Sequence, residues 1–236
     1  SQALRMYFGG PWLLVGAGVA VPLRRWPVVG LVMGCLVSWV VYAGEVSWPP
    51  RSLATAAAAI VVLTRMSRRP AVWWGAMAIV AAGTAFTWVR PLWSQVAAGA
   101  AVWTGLAMMG EGMAARPARG AWGVVGIAGL FGSLLLALTG SARLGAEAAL
   151  VAIPALGLVG CELDAAAGRA VALLLGMAWT QGVLFSELGP WICVPVACLL
   201  ALRVGHSDSP AAGWQAMAAA AGIGTLGSAP LLVDFV

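Results

Sequence analysis

Residues 116–139 read RPARGAWGVVGIAGLFGSLLLALT: Arg116 and Arg119 are followed by twenty residues without a charge. A helix needs about 20 apolar residues to cross the hydrocarbon core of a bilayer, and this run has that length. Arginines grouped at the end of an apolar run are typical of a short cytoplasmic loop. The stretch therefore predicts a membrane-spanning helix over 120–139, and the rest of the chain repeats the pattern.

The composition also indicates a membrane protein. Hydrophobic residues make up 62% of the 236-residue chain and charged residues 9%, with thirteen arginines and no lysine. A soluble domain carries roughly 25% charged residues, so this chain has too few to cover a surface in water. The net charge of +5 is spread over short loops. We therefore expect membrane lipids, whose headgroups are partly anionic, as partners, and no nucleic acid.

Charges and prolines divide the chain into ten apolar segments, with bounds at 10–23, 27–44, 51–64, 70–89, 91–109, 120–139, 143–160, 169–186, 189–203 and 210–233. Several are shorter than a usual span. Flanking arginines and tryptophans at the interface can compensate for the missing length. The segment 51–64 is the weakest and also fits a re-entrant loop. The prediction is an all-α polytopic integral membrane helix bundle with eight to ten transmembrane helices. We expect residues 1–236 to form a single transmembrane domain with no separate soluble domain.

The arginines are distributed unequally between the two predicted sides of the membrane. Nine follow the odd-numbered segments and four lie on the opposite side. Since positive charge is retained in the cytoplasm, we expect the nine to face it and both termini to be extracytoplasmic. The predicted location is the bacterial cytoplasmic (inner) membrane. The first segment has no small-residue cleavage pattern, so we expect a retained helix and not a signal peptide.

A helical-hairpin repeat of about 45 residues is a further hypothesis. Gly-Pro-Trp begins the first segment at Gly10 and the ninth at Gly189, and the two segments end at the same offset in Arg24 and Arg203. The alternative is independent placement, because proline suits a first helical turn and tryptophan suits the interface.

The ionisable residues lie near the predicted segment ends. An ion-coupled carrier commonly places such a group deep in the bundle, so this pattern argues against proton coupling through an intramembrane acid. Glu147 follows Arg143 by four residues, so the two side chains share a helix face and are expected to form an ion pair. The single histidine, His206, lies in a polar turn that fits a helix N-cap, with Asp208 or Ser209 as the capping residue before Pro210. No metal site is predicted, and the sequence leaves the cofactor undetermined.

Two groups of residues are candidates for a functional site. Glu162, Asp164 and Arg169 offer two carboxylates and a cation on the cytoplasmic side, which could hold a divalent cation and a diphosphate, although a solvated loop is the ordinary explanation of them. Trp179, Thr180 and Gln181 form the most polar patch within a segment. This patch is a candidate binding site, and ordinary helix packing is its alternative.

Three functions fit these observations. The leading hypothesis is a permease-like protein, or the membrane subunit of a transport system, for a small or lipidic solute. The second is an intramembrane enzyme acting on an isoprenoid or lipid through Glu162, Asp164 and Arg169. The third is a structural or pigment-binding subunit of a larger complex. Further membrane subunits, or additional copies of the chain, are therefore among the partners considered.

Overall fold

The computed structural model describes residues 11–45, 120–139, 141–163, 165–185, 189–202 and 211–233. These ranges form helices joined by turns and contain no strand, which confirms the all-α part of the prediction for this part of the chain. The predicted segments 51–64, 70–89 and 91–109 lie outside the described residues, as do Asp164 and His206.

The α-helices in the described ranges are α1 (Trp12–Ala20), α2 (Pro27–Glu45), α3 (Ala121–Leu138), α4 (Ala142–Gly157), α5 (Ala165–Phe185), α6 (Cys193–Leu200) and α7 (Ala212–Val233). A 3₁₀ turn at Val21–Leu23 extends α1, and another at Gly189–Ile192 precedes α6. The bounds follow the predicted segments within a few residues. The largest difference is at α5, which begins at Ala165 because the helix runs through the half-buried Arg169 and does not start at that charge.

Local sequence explains how α3 and α4 begin. The hydroxyl of Ser141 accepts a hydrogen bond of 3.2 Å from the amide of Leu144, which satisfies a free N–H in the first turn of α4. Gly120 precedes α3 with a φ of 70°, a conformation that residues with a Cβ rarely adopt. A Cβ at Gly120 would also lie 2.6 Å from the carbonyl oxygen of Gly213, so the start of α7 packs directly on it.

Helix α4 lies at the centre of the described part of the bundle. It packs against α1, α2, α3 and α5, with its most extensive contact on α3, whereas α7 packs against α3 and α6. Close approach depends on small residues: a Cβ at Gly34 of α2 would lie 2.8 Å from both the Gly16 carbonyl oxygen of α1 and the Pro154 Cβ of α4. These glycines allow three helix backbones to meet at one level.

Four glycines on α3, here called the glycine row, allow a different close contact at each step. Because a helix has about 3.6 residues per turn, a spacing of three rotates each successive glycine by roughly 60° around the axis. The row therefore faces three helices in turn: Gly123 lies against Met217 of α7, Gly126 against Leu156 and Gly129 against Ala152 of α4, and Gly132 against Trp179 of α5.

The contacts also define the relative helix directions. Helices α3 and α4 are antiparallel, since Gly126 contacts Leu156 and Gly145 contacts the Ser133 carbonyl. Helix α1 runs parallel to α4, because Gly157 lies against Ala17 near the end of α1. The Val21–Trp26 turn, the start of α3 and the end of α4 consequently share one end of the bundle, called the Arg24 end. The turn between α3 and α4 lies at the opposite end, called the Glu147 end.

Two of the described helices are long and apolar enough to cross a membrane, Ala121–Leu138 and Ala212–Val233. A buried core helix of a soluble protein has the same properties, and α3 is largely buried. Helix α7 differs, because only 22% of its apolar window is buried. Its exposed large apolar side chains are Trp214, Leu226, Leu232 and Val233, and others are exposed elsewhere on the surface: Leu14, Val21, Trp26, Val29, Met33, Val40 and Leu200.

Candidate functional site at the α3–α4 hairpin

The predicted ion pair forms at the Glu147 end. The Nε of Arg143 donates a hydrogen bond of 3.1 Å to Oε1 of Glu147, with the two residues one helical turn apart on α4. The two partners differ sharply in exposure: the glutamate side chain is 3% exposed and the arginine side chain 41%. The pair therefore connects a buried carboxylate to the protein surface through a single guanidinium group.

Neutral polar groups around this pair are bonded within the same hairpin. The Ser133 hydroxyl donates to the Gly145 carbonyl over 2.6 Å, which ties α3 to the first turn of α4. The Thr139 hydroxyl donates to the Leu135 carbonyl over 2.8 Å at the end of α3. Because buried hydroxyls cost free energy when left unbonded, these bonds make the polar end of the hairpin compatible with an apolar surrounding.

The electrostatics of this site follow from the exposures. A buried carboxylate is stable only with a compensating charge, and Arg143 supplies it. The pair therefore has no net charge. Among the described buried residues, Glu147 is the one with a carboxyl side chain.

The predicted binding patch on α5 is only partly described. Trp179 is fully buried, and a Cβ at Gly132 would overlap its indole nitrogen, so the ring fills the notch that this glycine leaves in α3. Its indole N–H has no hydrogen-bond partner. Thr180 and Gln181 follow within α5, but their side chains lie outside the described residues. The contact with Gly132 favours helix packing for Trp179 over stacking on a ligand.

Of the predicted catalytic cluster, Glu162 and Arg169 are described. The Glu162 side chain is exposed in the turn after α4, and Arg169 is half-buried on α5. The backbone carbonyl of Glu162 accepts a hydrogen bond of 3.2 Å from Nε1 of Trp122, which fixes this turn to the start of α3. Among the described residues, no three His, Cys, Asp or Glu side chains are grouped closely enough to hold a metal ion.

Sequence reasoning did not identify the junction at the Arg24 end. The Nε of Arg24 donates a hydrogen bond of 3.1 Å to the carbonyl of Gly157, the last residue of α4. The Cys161 thiol donates to the Arg24 carbonyl over 3.6 Å. Burial raises the pKa of the Cys161 thiol, and the positive charge of Arg24 opposes part of that rise. An arginine near a helix C-terminus is the available sequence signal, but the partner lies more than a hundred residues away.

Comparison of the chain with protein families, curated proteins and solved structures gives no match.

Proposed function

We propose that the chain is a polytopic protein of the bacterial inner membrane that provides a permease-like path, alone or as a membrane subunit of a transport system, for a small neutral or lipidic solute. It works without proton coupling through an intramembrane acid. The supporting observation for transport is the Arg143–Glu147 pair, which leaves the described core without an unpaired charge.

The surface of α7 supports residence in a bilayer. Only 22% of its apolar window is buried, and Trp214 is 73% exposed, Leu226 79% and Val233 75%. Exposing apolar surface to water costs roughly 25 cal/mol of free energy per Å² relative to an apolar environment. Lipid removes that cost, so the exposed face of α7 is better suited to hydrocarbon than to solvent.

The helix directions support the predicted topology. The start of α3 and the end of α4 lie at the Arg24 end and the turn between them at the Glu147 end, which is the arrangement that alternating spans with nine arginines on one side and four on the other require. That agreement favours cytoplasmic exposure of the Arg24 end. Three further spans over 51–64, 70–89 and 91–109 keep the alternation consistent.

The proposed hairpin repeat has one supporting observation. The two helices that follow Gly-Pro-Trp, α1 with nine residues and α6 with eight, are the shortest α-helices in the described ranges. Similar lengths at the two matched positions are expected if they descend from one repeated unit.

The neutral interior favours transport over catalysis in the described residues. A path without isolated charge admits a neutral solute at low electrostatic cost. The exposed Glu162 carboxylate lies in a turn, whereas a catalytic carboxylate would require a site that brings substrate and catalytic groups together.

The proposal is tested by flux into proteoliposomes containing the full chain. Two probes cover the solute classes: glycerol, followed by light scattering after osmotic shock, and NBD-labelled phosphatidylglycerol, followed by dithionite bleaching. We expect at least one probe to move faster than in protein-free vesicles, at a rate unchanged by a proton ionophore. Equal rates with and without protein for both probes would refute transport, and loss of flux on collapsing a pH gradient would refute uncoupled movement.

A double variant provides the matched control. Arg143→Gln combined with Glu147→Gln removes both charges and keeps the site neutral, so flux should stay within about twofold of the wild-type rate. Loss of flux in a double variant that still folds would show that the charges themselves act on the solute.

A further inference from the structure

The turn between α1 and α2, residues 21–26, is here called the arginine turn, and it combines exposed charge with exposed apolar surface. Arg24 and Arg25 are adjacent in sequence and both exposed. Trp26 is 64% exposed directly after them. We propose that this turn binds an anionic phospholipid, with the lipid phosphate held by the two guanidinium groups. The inference rests on the membrane location within the proposed function.

Arg24 is held in position by the protein. Its Nε bonds to the Gly157 carbonyl at the C-terminal end of α4, where the helix dipole favours a cation. That single bond uses one of the five N–H donors of the guanidinium. The side chain therefore loses less conformational entropy when its outward donors bind a phosphate.

Arg25 supplies a second charge that forms no salt bridge among the described residues. Neither Arg24 nor Arg25 makes a salt bridge with an acid among the described residues. Two neighbouring cations repel each other, and a shared anion relieves this repulsion. A phosphate fits because guanidinium groups bind its oxygens with paired hydrogen bonds.

The adjoining surface of α2 suits an acyl chain. Trp26, Val29 at 47% and Met33 at 40% exposure recur at helical spacing, so they form one apolar face running away from the arginines. Tryptophan is favoured at the headgroup level. This sequence of phosphate-binding cations, interfacial ring and apolar face matches the order of chemical groups along a phospholipid. A soluble phosphate would use only the first of them.

The experiment titrates the purified full chain in mild detergent with phosphatidylglycerol or phosphatidylcholine and counts bound lipids by native mass spectrometry. We expect preferential binding of phosphatidylglycerol. Arg25→Gln should weaken that binding about fivefold, the effect of removing one basic residue at a membrane surface. Arg24→Gln should weaken it similarly, but its unfolding midpoint must be measured because the variant also loses the bond to Gly157.

The control is Arg90→Gln, which removes the same charge from the end of a different apolar segment. It should leave the preference for phosphatidylglycerol unchanged. Equal weakening by Arg25→Gln and Arg90→Gln, or no weakening by Arg25→Gln, overturns the proposed site. Glycerol phosphate tests the source of the anion: competition at the same concentration as the lipid would identify a soluble-phosphate site and overturn the lipid assignment.

The lipid titration and the flux assay measure different properties. Absence of flux together with selective lipid binding would remove the transport proposal alone. Flux with lipid binding that is insensitive to Arg25 would remove the lipid site alone.

Discussion

Replacement of Arg143 by glutamine is expected to destabilise the protein much more than replacement of its partner Glu147. The reason is the unequal burial of the two side chains, 41% exposed for the arginine and 3% for the glutamate. Arg143→Gln leaves a carboxylate buried without its counter-charge. Removing one partner of a buried pair costs about 3–5 kcal/mol, and the partial exposure of Arg143 places this case near 3 kcal/mol.

Glu147→Gln leaves the half-exposed arginine able to recruit water. The amide oxygen of the glutamine can still accept the bond from Arg143 Nε. We therefore expect a loss of about 1 kcal/mol, in the range of a single hydrogen bond. The difference of roughly 2 kcal/mol between the single variants corresponds to a factor of about 30 in the folding equilibrium.

The assay is reversible unfolding in mixed micelles of mild detergent and dodecyl sulfate, followed by far-ultraviolet circular dichroism. The double variant with glutamine at both positions should be more stable than Arg143→Gln alone, because no buried charge remains. The reasoning fails if Glu147→Gln is as damaging as Arg143→Gln, or if adding Glu147→Gln to Arg143→Gln gives no recovery.

Three other predictions concern packing, thiol chemistry and topology. Gly129→Ala should destabilise the protein by about 1–3 kcal/mol in the same unfolding assay, because the added Cβ would lie 2.8 Å from that of Ala152. The control Gly222→Ala should be neutral or slightly stabilising, because a Cβ there meets no atom within 4 Å. Cys161 should react with maleimide more slowly than a free thiol at pH 7–8, because its raised pKa leaves less thiolate. Arg24→Gln should slow the reaction further, because it removes the charge that lowers this pKa. Faster labelling of the variant would contradict this prediction. Periplasmic reporter enzymes fused to either terminus should be active and cytoplasmic ones inactive, and the opposite pattern would reverse the assigned orientation.

Helix positions were predictable from sequence because long apolar runs and their charged ends are local properties. The prediction of 120–139 anticipated α3 at Ala121–Leu138, and 27–44 anticipated α2 at Pro27–Glu45. The start of α5 was misplaced because Arg169 was used as a boundary. A helix can include an arginine whose chain extends along an apolar surface to a polar region.

The candidate site was predictable in part for the same reason. Spacing alone predicted that Arg143 and Glu147 would pair, since both belong to one helix. Their unequal burial depends on which face of α4 turns toward its neighbours, and that is a tertiary property. Likewise, Trp179 could stack on a ligand or pack between helices until the position of Gly132 was known. Contacts between distant segments leave little trace in a single sequence.

The bond between Arg24 and Gly157 has a consequence for biosynthesis. Its partners are separated by 133 residues. At a translation rate of about 5–20 residues per second, Arg24 is made roughly 7–27 s before the carbonyl that it binds. During that interval the surface around Gly16 and Gly34 is not yet covered by Pro154 of α4. In the proposed membrane location the nascent hairpin would persist as an incomplete unit, and an insertase or chaperone that shields this surface would act within those seconds.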